Sequence, residues 1–265
     1  MIPYTGFTKF YLGPVPIQVW GLLVALGFVA GMLVVRWYAR KRKLNVNAIM
    51  DLAFWTAVAG FIGARFGHVF LYDWSYYQEH LIEILYVWQG GFSSVGGFVG
   101  AAVVVLWWYK KKWPALRSSK SEVGKYADVL AFAFPLAWGI GRIGCFLIHD
   151  HPGVCTNFAL GMQQSSGCAR HDLGLYESIQ AFLIFGLFLL LLKKYRDRVP
   201  RFLYTGLLMV LYGIPRFFFD FLRIESETRY AGLTPAQYGS IILAFVGVVL
   251  LYKIRGGKSV VARTN

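Results

Sequence analysis

Apolar residues run through this chain in long blocks separated by short polar or basic clusters, rather than alternating or forming narrow stripes. A helix needs about 20 mostly apolar residues to cross a bilayer. Runs of that kind fall near 17–38, 50–72, 91–109, 127–148, 174–193, 202–222 and 236–254. The pattern predicts an all-α integral membrane protein with about seven transmembrane helices. The third and fourth runs are the least uniform. One opens on "WQGGFSSVGG", and the other carries Arg142 in "YADVLAFAFPLAWGIGRIGCFLIHDHPG".

The clusters between runs alternate in charge. "RWYARKRK", "KKKWPALRSSK", "KKYRDRVPR" and "KIRGGK" follow the first, third, fifth and last runs. Such Lys/Arg clusters belong on the cytoplasmic side. "YDWSYYQEHLIE", the 149–173 loop and "RIESETRYAG" then face outward, which predicts an outer N-terminus and a cytoplasmic C-terminus. Composition agrees: 57% of residues are hydrophobic, 15% are charged, and the mean hydropathy is +0.51. A soluble domain carries about 25% charged residues. The net charge of +14 suits an anionic inner leaflet, so no nucleic-acid partner is needed. The expected organisation is one polytopic domain over 1–265 with an outer cap at about 149–173. "MIPYTGFTKFYLGPVPI" lacks a basic n-region and a short apolar core before a small-residue site, so no cleavable leader is expected.

The predicted orientation gives the polar residues of different helices a common depth. Arg65 and His68 fall near the outer end of the second span, and Arg142 in the outer part of the fourth. Tyr212, Arg216, Asp220 and Arg223 fall near the outer end of the sixth. Gln89, Ser93, Ser94, Tyr176, Glu177 and Gln180 open the third and fifth at a similar level. Intramembrane charges cost a few kcal/mol each and face partners or cavities. A shared depth predicts a polar chamber near the outer surface. Arg216, Asp220 and Arg223 share one helix face, where Asp220 either neutralises its neighbours or takes part in chemistry. Arginine is suited to bidentate phosphate recognition, which makes an anionic phospholipid the natural ligand. Gly96 and Gly97, within "GGFSSVGGFVGA", serve either close helix packing or an interrupted helix that offers amides to an anion.

Three of the five histidines, His149, His151 and His171, belong to the 149–173 loop and its ends. A neutral imidazole is a ready base near pH 7. Alternatives are hydrogen bonding to loop backbone, or a metal held by His149, Asp150, His151 and His171, although these lack an established zinc spacing. Cys155 and Cys168 share the same outer loop, where an oxidising compartment permits a disulfide. Cys145 reads as a small packing residue.

Taken in order, the motifs resemble those of the prolipoprotein diacylglyceryl transferase family. "GRIGCFLIHDHPG" resembles the family signature G-R-x-G-N-F-x-N-x-E-x-x-G, and "WQGGFSSVGGFVG" resembles W-x-G-G-M-S-F-H-G-G-x-x-G. "RHDLGLYES" resembles R-H-P-x-Q-L-Y-E, "YGIPRFFFDFLR" resembles Y-G-x-x-R-F-x-x-E-F-x-R, and "LTPAQYGS" resembles the last-helix G-Q-x-x-S. "VWGLLVALGF" and "GARFGHVF" are similar to first- and second-helix motifs, so the resemblance covers nearly the whole chain.

The resemblance implies transfer of a diacylglyceryl group from phosphatidylglycerol to the lipobox cysteine of a preprolipoprotein in the bacterial inner membrane. Glycerol phosphate would leave, and no cofactor or metal would be involved. It implies catalytic roles for Arg142, Arg216, Tyr212, His171 and Glu177, with His149 a further candidate base. Arg65, Arg142, Gln89, Gly96, Gly97, Asp150, His151, Gly153, Asp220 and Arg223 are candidates for holding substrate. Three positions depart from the family pattern: Trp20 for tyrosine, Cys145 for asparagine and Val95 for histidine. The last removes a residue regarded as the base, so another group would take that role. The alternative is a related protein that binds anionic phospholipid without this transfer, or that uses a different acceptor.

Overall fold

The computed structural model describes residues 1–4, 6–13, 15–87, 90–111, 123–163, 167–196, 199–224 and 229–261. A hairpin of β1 (Lys9–Leu12) and β2 (Val15–Gln18) leads into α1 (Val19–Lys41) and α2 (Val46–Leu71). The one-turn α3 (Trp74–Tyr77) and a 3-10 turn (Leu81–Leu85) precede α4 (Ser94–Lys111) and α5 (Val123–Ile148). Next come β3 (Pro152–Cys155), β4 (Met162–Gln163) and β5 (Ala169–Asp172), which form an antiparallel sheet in the order β3-β5-β4. The chain closes with α6 (Leu173–Tyr195), α7 (Leu203–Phe219), a 3-10 turn (Asp220–Leu222) and α8 (Pro235–Val261).

Among the described residues, six helices are long and apolar enough to cross a membrane: α1, α2, α5, α6, α7 with its terminal turn, and α8. The third expected span starts three residues later than the sequence pattern suggests and runs to Lys111. Gly90 and Gly91 take positive φ values of 87° and 76°, which L-residues rarely adopt, and helix begins only at Ser94. The resulting α4 has 18 residues and lies along α2.

Helix pairs α1–α5, α2–α4, α5–α6 and α7–α8 build the bundle. Small residues set its tightest seam, because helices in lipid gain most from close van der Waals packing. A Cβ on Gly67 would lie 2.5 Å from the Gly96 Cα, so α2 and α4 touch backbone to backbone. One end of the bundle is closed by an aromatic core of Tyr38, Phe132, Phe188 and Tyr204. Near that end the helices finish in Arg40–Lys41, Lys110–Lys111 and Lys193–Lys194. Large apolar side chains such as Leu183, Leu190, Ile242 and Phe245 are exposed on the flanks, as a lipid-facing surface requires.

Caps fix where helices start. Asn45 accepts from Ala48 N at 3.1 Å to open α2, and Asp172 accepts from Leu175 N at 2.9 Å to open α6. α7 is capped from a distance. Asp128 of α5 accepts from both Thr205 N and Thr205 Oγ1 at 2.9 Å.

Candidate active site

The site lies at the end of the bundle where α5 and α7 finish and α6 and α8 begin. Its centre is Glu177, which is buried with its carboxylate between two helices' arginines. Arg142 Nε of α5 approaches Oε2 at 2.8 Å, and Arg216 Nε of α7 approaches Oε1 at 3.8 Å. Asp220 continues the network, receiving Arg216 Nη1 at 2.5 Å and lying 3.1 Å from Arg223 Nε. Three guanidiniums thus converge on two buried carboxylates. The Arg142 guanidinium also lies 4.6 Å above the Trp138 ring. Tyr212 is buried within electrostatic reach of Glu177, Arg216 and Arg142.

Asp220 is held from α8 as well. Thr234 Oγ1 donates to Asp220 Oδ2 and accepts from Gln237 N at 3.2 Å, while Gln237 Oε1 accepts from Thr234 N at 3.0 Å. This is a reciprocal capping box, with Pro235 at the first helical position, where its missing N–H costs nothing. Thr234 and Gln237 were not assigned roles from sequence, although T-P-A-Q carries the capping signal. Gln180 has a different structural task. Pro215 cannot donate to Leu211 O one turn earlier, and Gln180 Nε2 supplies that bond at 2.7 Å.

The three cap histidines separate. His149 turns the chain off α5 with a positive φ of 53°. Its Nδ1 meets Asp172 Oδ2 at 3.1 Å, and its ring packs on Tyr4 and Phe146. Burial raises the pKa of Asp172, opposed by the Leu175 N–H and by His149. His171 Nδ1 pairs with Tyr176 Oη at 2.8 Å, and burial lowers its pKa. His151 instead faces the arginine network. Its Nδ1 bonds Asp150 Oδ1. Burial lowers its pKa, Asp150 opposes that shift, and the Arg142 and Arg223 charges add to it. Cys145, Asp150 and His151 bring Sγ, a carboxylate oxygen and a ring nitrogen within 4.8 Å of one another. Arg142 Nη1 lies 3.6 Å from Cys145 Sγ, which sets a positive charge where a cation would have to sit. The metal set of His149, Asp150, His151 and His171 is not assembled, because His149 and His171 have the separate partners described above.

Other expected site residues hold the scaffold. Arg65 is not drawn into the arginine network. Its guanidinium donates to four backbone carbonyls, Ile84 at 2.9 Å, Gly90 at 2.6 Å, Gly91 at 3.2 Å and Glu83 at 2.7 Å, and thereby clamps the segment before α4. Gly96 lies in the α2–α4 seam, and a Cβ on Gly97 would stand 3.4 Å from Gly60 O. Of the two readings of these glycines, the geometry matches packing. Gly153 bridges to Arg223 across β3, and a Cβ there would meet Leu222 O at 2.5 Å. Val95 packs toward Gly239 of α8, and Trp20 stacks on Phe92. Gln89 lies outside the described residues. Cys155 and Cys168 form a disulfide that ties β3 to the strand before α6.

Beside the network, α6 and α7 part to leave an apolar groove of about 680 Å³. Ile179, Leu183 and Leu187 line one wall and Leu211, Pro215 and Phe219 the other, with His171 and Tyr176 at the polar end. Fold and site define a multi-pass membrane protein whose helix bundle carries an arginine–carboxylate network next to a groove suited to hydrocarbon. A family model for prolipoprotein diacylglyceryl transferase matches residues 8–253. The chain belongs to that family and is a transferase. It is 32% identical over 261 residues to the phosphatidylglycerol–prolipoprotein diacylglyceryl transferase of Staphylococcus saprophyticus, covering 94% of this chain and 90% of the relative. The enzyme of the same name from Nitrosomonas europaea is 33% identical over 254 residues, covering 91% and 87%.

Proposed function

We propose that this protein transfers the diacylglyceryl group of phosphatidylglycerol to the thiol of a lipobox cysteine in a preprolipoprotein signal peptide, releasing glycerol phosphate. The site end faces outward from the bacterial inner membrane and the basic helix ends face the cytoplasm, following the distribution of Lys and Arg. Residues 149–163 and 167–173 cap the outer mouth of a single membrane domain.

The observation that carries this reading is the convergence of Arg142, Arg216 and Arg223 on Glu177 and Asp220, beside an apolar groove. An anionic phospholipid fits both features, with acyl chain in the groove and phosphodiester at the guanidiniums. The reaction displaces phosphate from an sp³ carbon. The thiolate sulfur forms a bond to the glycerol carbon, and the C–O bond breaks with its electron pair moving to the phosphate oxygen. Charge on that oxygen grows toward the transition state, where fixed guanidiniums stabilise it most. Glu177 and Asp220 hold the arginines in place, and Tyr212 offers a hydroxyl among them.

Val95 favours a second reading, in which the protein binds anionic phospholipid without transfer. Mass spectrometry of a lipobox peptide incubated with the protein in phosphatidylglycerol vesicles separates the two. A diacylglyceryl adduct that disappears with Arg142→Ala supports transfer. Retained lipid without an adduct supports the binding reading.

A further inference from the structure

Diacylglyceryl transfer to a thiol needs a group that removes the thiol proton, and Val95 cannot be that group. Glu177 is committed to Arg142 and Arg216, and Asp220 to Arg216, Arg223 and Thr234. His149 is braced by Asp172, with its side chain only 4% exposed. His171 is bonded to Tyr176 at the mouth of the apolar groove. Elsewhere, His68 pairs with Asp73 at 2.9 Å and His80 stacks on Tyr76.

His151 is placed differently from all of these. Its ring is partly exposed, so an incoming acceptor can reach it. Asp150 takes Nδ1, which leaves Nε2 to accept a proton. The charged and titratable groups facing it come from every neighbouring element. They are Arg142 and Cys145 of α5, Asp150 beside it, Asp172 and Glu177 at the start of α6, and Arg223 after α7. A thiol approaching the exposed side of His151 would meet the base there, with the Arg142 and Arg223 charges close by.

We propose that His151 is the general base that deprotonates the acceptor cysteine, and that Asp150 is its positioning residue. The assignment rests on the transferase reading above. His151 Nε2 takes the thiol proton, the sulfur attacks the glycerol carbon, and the C–O pair departs with glycerol phosphate. The imidazolium then releases its proton to water or to the departing phosphate, which restores the neutral ring. Arg142 and Arg223 favour that release, because they oppose a second positive charge nearby.

The test uses the purified full chain in phosphatidylglycerol vesicles with two lipobox peptides, one carrying cysteine and one selenocysteine. A selenol is already ionised at neutral pH and needs no base. His151→Gln is expected to slow transfer to the thiol about 100-fold while transfer to the selenol keeps the wild-type rate. Equal losses on both peptides would make His151 a scaffold residue, and no loss on the thiol would remove it from the chemistry. Either outcome overturns the assignment. Asp150→Asn provides a second readout: the acid limb of its rate profile is expected to move to lower pH, and an unmoved limb counts against the pair. Wild-type protein that modifies neither peptide would overturn the transferase reading itself, a result distinct from an active His151→Gln.

Discussion

Arg142 Nε and Glu177 Oε2 meet at 2.8 Å across the seam between α5 and α6, with their side chains 9% and 1% exposed. Glu177 is also the partner of Arg216 on α7, so one carboxylate joins three helices. Removing one member of a buried pair leaves an uncompensated charge, which costs about 3–5 kcal/mol. Glu177→Gln is therefore expected to lower the melting temperature in detergent by roughly 10 °C and to abolish transfer. A variant that melts with the wild type would show that the arginines find other partners.

Arg65 and Arg142 make opposite predictions, although both are buried arginines near the same end of the bundle. Arg65 holds backbone carbonyls and lies 5.2 Å from the Tyr77 ring centroid, whereas Arg142 faces a carboxylate and the site. Arg65→Lys loses a fork that a point charge cannot reproduce and should destabilise the protein by about 2 kcal/mol. Its affinity for phosphatidylglycerol should stay at the wild-type value. Arg142→Lys should instead weaken lipid binding and slow transfer about 100-fold. Melting curves and the amount of phosphatidylglycerol retained by each variant in detergent check the division.

The α8 capping box supports the site through Asp220. Thr234→Val removes the cap, which costs about 1 kcal/mol, and deprives Asp220 Oδ2 of its donor. Stability and transfer should fall together. Gln237→Glu keeps a capping-box acceptor but buries a carboxylate and loses the Gln237 Nε2 bond to Phe217 O, so calorimetry should show it melting below the wild type as well.

The pH dependence follows from His151. Folding holds its pKa below the ordinary value of about 6.5, chiefly by burial. The neutral ring is therefore the form that folding favours. Its contribution is whole above pH 6.5 and is lost as pH falls through the depressed folded value. Transfer should persist through mildly acidic conditions and then decline with a midpoint below about 6.5. Initial rates from pH 4.5 to 8 would settle it, and a midpoint above 6.5 would contradict the assignment.

Membrane class, approximate span boundaries and the level shared by Arg142, Glu177 and Arg216 were legible in the chain itself. Hydrophobic run length and charge placement act locally and need no knowledge of packing. Pairing is different. Asp220 lies one turn from Arg216 and is readable as its partner, but Glu177 comes from another helix, and its contact with Arg142 depends on how α5 and α6 are seated. Arg65 looked like a ligand for phosphate because its charge is visible in sequence, whereas the Gly90 and Gly91 carbonyls that receive it depend on an irregular backbone.

The histidines mark the same boundary. Sequence alone determined that a membrane protein of this family lacks a base at Val95 and carries histidines at 149, 151 and 171. Only tertiary structure decided that His149 braces Asp172, His171 meets the groove and His151 turns toward the arginines. The positive φ at His149 and the strand that follows rotate neighbouring residues onto different faces, and β3 is held there by its pairing with β5 and its bridge to Arg223.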